Sequence, residues 1–151
     1  MYNRFLEYLK QTEPKRVISK SGIRIRKILN LVIRAVAPLT CKYKRVIVKS
    51  YKVHKGKPII FAPTHGFKDD VLMTVSSIPA NGYILFGSLP QFYNTFDGIT
   101  AWLNGALIVD RTDKESRNAA KLKMRYAIEH GANLIVFPEG VWNKSGNLLI
   151  L

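Results

Sequence analysis

Residues 58–72 read PIIFAPTHGFKDDVL: an apolar run, a polar corner, and a second segment in which apolar residues return. The run from Pro58 to Ala62 does not alternate, which is typical of a strand buried on both faces of a sheet. The segment from Asp69 to Ile78 is predicted to be helical. A buried strand followed by a helix is the building unit of an α/β fold.

The same order of strand and helix recurs toward the C-terminus. Short apolar runs predict strands over Tyr83–Phe86, Ala106–Val109 and Asn133–Phe137. A long helix is predicted over Lys114–His130, and Gly131 is placed to end it. The sequence therefore predicts an α/β domain with a largely parallel central sheet flanked by helices.

Positive charge is concentrated in the first third of the chain. The 151 residues carry a net charge of +14, and residues 1–57 hold the whole excess, with 16 lysines and arginines against two glutamates. From Pro58 onward, eight basic and eight acidic residues cancel. Segregated positive charge favours a polyanionic partner, and the candidates are nucleic acid, an anionic bilayer and an acidic carrier protein. The single cysteine, Cys41, excludes an internal disulfide.

The basic region contains a predicted amphipathic helix. Its apolar residues recur at helical spacing: Ile25, Ile28, Leu29, Val32 and Val36. Its opposite face carries Lys27, Asn30 and Arg34. The apolar stretch is too short to span a bilayer, which takes ~20 residues. We expect the helix either to lie in a membrane interface, with its basic face on lipid phosphates, or to pack its apolar face on the domain behind it.

Two further features complete the N-terminal region. Pro38 is expected to end or kink the helix. Arg45–Val53 partly alternates and predicts a first strand with a solvated basic face. The chain thus divides into a basic, membrane-facing region over residues 1–57 and a globular core over residues 58–151.

Three polar corners follow predicted strands. They are Thr64–Asp70 after the first buried run, Asp110–Arg111 after the third, and Pro138–Gly140 after the last. In open α/β sheets, ligands bind at the carboxyl ends of the strands. We therefore expect these corners to form one site.

The first corner has the elements of a general base. A neutral histidine such as His65 can take a proton from a substrate hydroxyl, and a carboxylate such as Asp70 can fix its tautomer. The alternative is ordinary helix capping by Asp69 and Asp70, with His65 as a turn residue. Asp69 is expected only to cap; for the other two residues both interpretations stay open.

Three sequence blocks together resemble the glycerolipid acyltransferase family. They are H-x-x-x-x-D from His65 to Asp70, GALIVDR over residues 105–111, and FPEG over residues 137–140. The best-known members of that family are the 1-acylglycerol-3-phosphate acyltransferases. The likeness extends from about Pro58 to Asn143, and a basic amphipathic N-terminal region is also typical of the family.

The resemblance implies a role for each matching position. His65 would deprotonate a lysophospholipid hydroxyl and Asp70 would orient it, and the donor would be acyl-CoA or acyl-carrier protein. The residues that would bind the acceptor or shape its site are Gly105, Arg111, Glu139 and Gly140. No metal or other cofactor is implied. For Arg111 the alternative is a surface ion pair with Asp110 or Asp113.

The sequence departs from the family in two places. Val141-Trp142-Asn143 stands where many members have Thr-Arg-Ser, so one phosphate-binding arginine is missing. The chain then stops at Leu151, before a further family block, and we expect a catalytic core that is truncated at its C-terminus.

The leading hypothesis is a peripheral O-acyltransferase of phospholipid biosynthesis on the cytoplasmic face of a membrane. The alternative is a basic membrane- or nucleic-acid-binding module without activity, although no nucleic-acid-binding motif is present.

Overall fold

The computed structural model describes residues 2–41, 46, 57–66, 69–78, 82–87 and 105–140. The described helices are α1 (Tyr2–Gln11), α2 (Pro14–Val17), α3 (Lys20–Cys41), α4 (Asp70–Ser77) and α5 (Lys114–Glu129). The described strands are β1 (Ile60–Phe61), β2 (Gly82–Gly87), β3 (Ala106–Val109) and β4 (Asn133–Ile135). The strand predicted over residues 45–53, and the segment after Gly140, lie outside the described residues.

The described strands form one parallel sheet in the order β1-β4-β2-β3. The prediction of an α/β fold with a parallel central sheet is therefore confirmed. The first strand differs from its prediction, because β1 has only two residues and Ile60 is 58% exposed. Among the described strands β1 lies at one edge and pairs only with β4. The exposure of Ile60 shows that one face of this strand is not covered, whereas Phe61 on the other face packs against the core.

Helices cover both faces of the sheet. Neighbouring residues of β2 point in opposite directions: Tyr83 packs with residues of α2 and α5, while Ile84 packs against α4. The hydrophobic cluster on the Tyr83 side of the sheet consists of Ile18, Tyr83, Leu107, Ala127 and Leu134. The hydrophobic cluster on the Ile84 side consists of Val75, Ile84 and Ile135, with Ile33 of α3 packed against it. The result is a three-layer arrangement with the sheet in the middle.

Helix α3 packs with its polar face inward. Arg26 and Asn30 are 8% and 7% exposed, and Ala37 shares their side of the helix at 3%. Asn30 Nδ2 donates to the backbone oxygen of Val75 over 3.5 Å, and Arg34 Nη2 donates to that of Ile78. The polar side chains therefore bond to α4 and to the residue that ends it.

The opposite face of α3 presents its apolar side chains to the outside. Six of them are 46–77% exposed: Ile25, Ile28, Leu31, Val32, Val36 and Leu39. The expectation that this apolar face packs on the domain is therefore wrong. Within the described residues, no helix is long and apolar enough to cross a membrane.

Pro38 neither ends α3 nor leaves its last turn without hydrogen bonds. The helix continues for three residues to Cys41. Because proline has no N–H, the hydrogen bond to the carbonyl of Arg34 is missing at this point. The hydroxyl of Thr40 bonds to the backbone oxygens of Val36 and Ala37, both at 3.2 Å, and satisfies carbonyls in the last turn.

The N-terminal helix α1 is tied to α5. Lys10 Nζ lies 2.9 Å from Oδ2 of Asp113, whose other oxygen accepts the N–H of Glu115 and caps α5. The hydrogen bond from Lys10, followed by that from Glu115, lowers the pKa of Asp113. The hydrogen bonds to Glu7 and Asp113 raise the pKa of Lys10. Burial lowers the pKa of Lys123, and its ammonium group donates to the backbone oxygen of Leu9.

Candidate active site

Parallel strands bring three polar corners to the same edge of the sheet. The chain leaves β1, β3 and β4 at their carboxyl ends and continues there into the segments that hold His65, Arg111 and Glu139. This is the edge at which α/β sheets bind ligands. The observed strand directions place the three corners at one edge of the sheet, as expected.

His65 and Asp70 form a direct pair. Nδ1 of His65 lies 3.1 Å from Oδ2 of Asp70, and the two side chains are 18% and 16% exposed. The same carboxylate oxygen accepts the backbone N–H of Gly66 over 2.6 Å. Because a carboxylate can only accept, its bond to His65 assigns the ring proton to Nδ1 and makes Nε2 the basic nitrogen.

The capping alternative holds for the position of Asp69 but not for its hydrogen bonds. Asp69 occupies the N-cap position of α4, but its side chain makes no capping hydrogen bond. Asp70, the first helical residue, instead turns its carboxylate back to His65 and to the N–H of Gly66. Asp69, which was expected to cap the helix, makes no capping bond. The His65–Asp70 pair, which the sequence left open, is formed.

The segment Phe137–Gly140 holds His65 from the other side. The carboxylate of Glu139 accepts the backbone N–H of His65 over 3.4 Å. The ring of Phe137 lies 4.7 Å from the imidazole, at an interplanar angle of 42°. A turn closed by the bond from the N–H of Gly140 to the oxygen of Phe137 places both contacts, and Gly140 adopts φ +66° in it. A left-handed residue favours glycine, as predicted for Gly140.

Arg111 joins the second corner, Asp110–Arg111, to this segment. Its Nη1 donates to the backbone oxygen of Gly140. A Cβ atom on Gly87, the last residue of β2, would lie 3.1 Å from Nη2 of Arg111, so the guanidinium runs close along the end of that strand. One turn, Phe137–Gly140, therefore contacts both the histidine and the arginine.

The predicted alternative for Arg111 is not observed. Asp110 Oδ1 accepts the N–H and hydroxyl of Thr112, at 2.9 and 2.7 Å, and these bonds lower the pKa of Asp110. Asp113 is bonded to Lys10. Within the described residues, Arg111 forms no ion pair with a carboxylate. A guanidinium without such a partner can serve as a phosphate-binding group.

Gly105 is not part of this group. It precedes β3 and therefore lies at the amino edge of the sheet, while Arg111 follows the strand at the carboxyl edge. It has φ +86°, and a Cβ atom there would lie 2.5 Å from Nη1 of Arg26. The close approach that this glycine permits is to Arg26 of α3.

Two neighbours of the site were missed in the sequence. Gly87 leaves room for Arg111, and Phe137 stacks near His65. Phe137 belongs to the FPEG block, so its position was the available signal. Gly87 had none, because a glycine at a strand end is also an ordinary turn residue. Among the described residues, no group of three histidine, cysteine or acidic side chains could hold a metal ion; that none is needed stays a prediction.

The arrangement has the parts of a proton-transfer site next to an anion-binding group. An imidazole whose Nδ1 is bonded to a carboxylate can accept a proton at Nε2 and stabilise the resulting charge. Arg111, on the other side of the Phe137–Gly140 turn, supplies a fixed positive charge. Such a site can deprotonate a hydroxyl of a molecule that also carries an anionic group.

Comparison with known proteins identifies a family. The model of a family described as Acyltransferase matches residues 44–150 of the chain. No curated protein and no solved structure matches it. Because the family match covers well over half of the chain, the chain belongs to this acyltransferase family, which confirms the resemblance found in the three sequence blocks.

Proposed function

We propose that this acyltransferase moves a fatty acyl group from a thioester, acyl-CoA or acyl-carrier protein, to the hydroxyl of a lysophospholipid such as 1-acylglycerol-3-phosphate. The observation that carries the proposal is the His65–Asp70 pair, at 3.1 Å, on the same sheet edge as Arg111. A base for a hydroxyl and a cation for a phosphate are the two groups that such an acceptor requires.

The reaction proceeds through attack on the thioester carbonyl. Nε2 of His65 takes the proton of the acceptor hydroxyl as its oxygen bonds to the carbonyl carbon. Asp70 stabilises the imidazolium that forms. The carbon–sulfur bond then breaks, and the departing thiolate receives the proton from His65. The products are an ester and a thiol, and the enzyme returns to its starting state.

Arg111 binds the acceptor, and Glu139 positions the base. The guanidinium of Arg111 suits a phosphate because it can donate two parallel hydrogen bonds and stays charged. Glu139 bonds to the backbone of His65 and keeps the Phe137–Gly140 turn against the base. In this mechanism Arg111 acts mainly on binding, whereas His65 acts on the chemical step.

The exposed face of α3 supports action at a membrane surface. Its six apolar side chains would enter the acyl-chain boundary of a bilayer, and the basic residues of the N-terminal region would contact anionic headgroups. We therefore place the enzyme peripherally on the cytoplasmic face of an anionic phospholipid membrane, where its lysophospholipid substrate resides. Phospholipid biosynthesis is the process that such a reaction serves.

The proposal is tested by thiol release from palmitoyl-CoA in the presence and absence of lysophospholipid acceptors. We expect acceptor-dependent release by the wild-type chain and none above background for His65→Ala, with equal folding by circular dichroism. A His130→Ala variant, which changes an exposed histidine at the C-terminal end of α5, is the matched control and should retain activity. Thiol release by His65→Ala equal to the wild type would overturn the mechanism. Vesicle binding without turnover by the wild type would favour the inactive binding module.

A further inference from the structure

A cavity of about 600 Å³ lies at the edge of the sheet opposite to His65. It is bordered by Gly82 and Asn133, the first residues of β2 and β4, and covered by α3. In a parallel sheet the amino ends of the strands lie a full strand length from the carboxyl ends. The cavity is therefore separate from the site at His65 and Arg111.

The lining of this cavity is positively charged. The side chains that α3 contributes are Ile23, Arg26, Lys27, Asn30, Leu31 and Arg34. No aspartate or glutamate of the described residues lines it, and none forms an ion pair with Arg26, Lys27 or Arg34. Cations grouped in one concavity repel each other and raise the local concentration of anions.

Both arginines of the lining have buried polar atoms. Arg26 is 8% exposed, lies with its guanidinium carbon 3.6 Å from the centre of the Tyr83 ring, and donates to the hydroxyl of Tyr83. Burial lowers the pKa of Arg26 to about 10. In Arg34 the Nε atom is buried and has no hydrogen-bond partner among the described residues. A buried charge is costly, and an anion bound next to it would offset that cost.

Gly105 shows that Arg26 is fitted into its place. With φ +86°, this residue is in a conformation that favours glycine, and a Cβ atom there would overlap Nη1 and Cδ of Arg26 at 2.5 and 2.8 Å. The backbone before β3 thus leaves the room that the arginine occupies. The position is built into the fold rather than sampled by a mobile surface side chain.

We propose that this cavity binds a phosphate group through Arg26, Arg34 and Lys27. Guanidinium groups match phosphate oxygens in geometry, and a cavity of this volume can hold a lipid headgroup. Leu31 lines the cavity and is 67% exposed on the apolar side of α3, so an acyl chain leaving the cavity would meet that apolar face. The phosphate can come from an anionic lipid headgroup or from free phosphate. Phosphate binding in this cavity is independent of the proposed acyl transfer.

The test is calorimetric titration of the full chain with dihexanoyl phosphatidylglycerol below its micelle concentration, and separately with inorganic phosphate. We expect saturable binding that Arg34→Gln weakens at least about tenfold, the loss of one charge-assisted phosphate contact. Arg24→Gln removes an equal charge from an exposed position of α3 outside the cavity and should change the affinity less than about twofold. Binding of the lipid alone identifies a headgroup as the source, and equal binding of inorganic phosphate identifies free phosphate.

A background substitution separates this site from the one at the other edge. The titrations are carried out in Arg111→Gln, which removes the proposed phosphate-binding group at the carboxyl edge, so that the remaining saturable binding is assigned to the cavity at the amino edge. If Arg34→Gln does not fold, Lys27→Gln replaces it, since Lys27 is exposed and lines the cavity. No saturable binding of either probe in the Arg111→Gln background, or equal losses when Arg34→Gln and Arg24→Gln are added to it, would each overturn the proposal.

Discussion

Gly105 and Arg26 occupy adjoining space at the amino edge of the sheet, and a side chain at position 105 would have to displace Arg26. A Cβ atom on Gly105 would lie 2.5 Å from Nη1 of Arg26. Gly105 belongs to a sequence block that resembles an acceptor-binding motif, yet its contact is with the N-terminal helix α3. This relationship links the basic N-terminal region to the catalytic core.

Gly105→Ala is therefore expected to destabilise the protein by about 2–4 kcal/mol, from the overlap with Arg26 together with left-handed strain. Gly131 is the matched control, because it also has positive φ (+75°), but a Cβ atom there would meet no atom of the described residues within 4 Å. Gly131→Ala should cost only about 1 kcal/mol, the strain alone. Urea denaturation of both variants measures the difference. Equal costs would show that Arg26 moves aside freely.

Arg111→Gln is expected to raise the KM for a phosphate-bearing lysophospholipid about 10- to 100-fold while kcat changes little, because the arginine binds and does not react. The control is Arg125→Gln, which removes the same charge from an exposed pair with Glu129 on α5. Steady-state kinetics over a range of acceptor concentrations separates the two constants. An unchanged KM in Arg111→Gln would remove this residue from the acceptor site.

Lys10→Met should destabilise the docking of α1 on α5 in a pH-dependent way. The pKa of Asp113 is lowered from 3.8 by Lys10, so the contribution of this carboxylate is present above that value and is lost as pH falls below it. The pKa of Lys10 is raised from 10.5, so its contribution is present below that value and is lost at higher pH. The destabilisation by Lys10→Met should therefore be largest between these limits.

Thermal unfolding between pH 3 and pH 8 measures this dependence for the wild type and for Lys10→Met. Lys15→Met is the control, because Lys15 and its partner Glu13 are 67% and 56% exposed. An exposed pair of this kind contributes little to stability, so its loss should be near zero at every pH. A Lys10→Met effect that does not shrink at low pH would contradict the assignment.

Ile28→Asp is expected to reduce co-sedimentation with vesicles of phosphatidylglycerol and phosphatidylcholine about tenfold, because it puts a charge in the exposed apolar face of α3. Leu122→Asp is the matched control: Ile28 and Leu122 are 64% and 61% exposed, and both lie on helices. If both variants lose binding equally, net charge rather than the apolar face of α3 determines membrane association.

The sequence was sufficient to predict the architecture where hydrophobic period and turn residues agree. Strand β3 was predicted over the observed range Ala106–Val109, and α5 was predicted one residue longer than Lys114–Glu129. Gly131 follows α5 with φ +75°, as its predicted position required. The His65–Asp70 contact was one of two interpretations that the spacing left open, and the structure shows that it is formed.

The orientation of α3 could not be predicted from the same reasoning. An apolar stripe is ordinarily buried, but in this helix the polar stripe is inside. Arg26 donates a hydrogen bond to Tyr83, Asn30 to a backbone carbonyl of α4, and Arg34 to the carbonyl of Ile78. These partners are remote in sequence, so no local sequence pattern predicts them. The misplacement of Gly105 has the same cause, because Arg26 is its neighbour only in the folded chain.

The central claim is that Asp70 orients His65 as the base, and the kcat of Asp70→Asn for acyl transfer tests it most directly. Asp69→Asn is the matched control, because the adjacent carboxylate makes no capping bond in the structure. We expect kcat to fall about 10²- to 10⁴-fold in Asp70→Asn, as when an orienting carboxylate is lost from a triad, and to stay within about twofold in Asp69→Asn. Equal activity of the two variants would contradict the account.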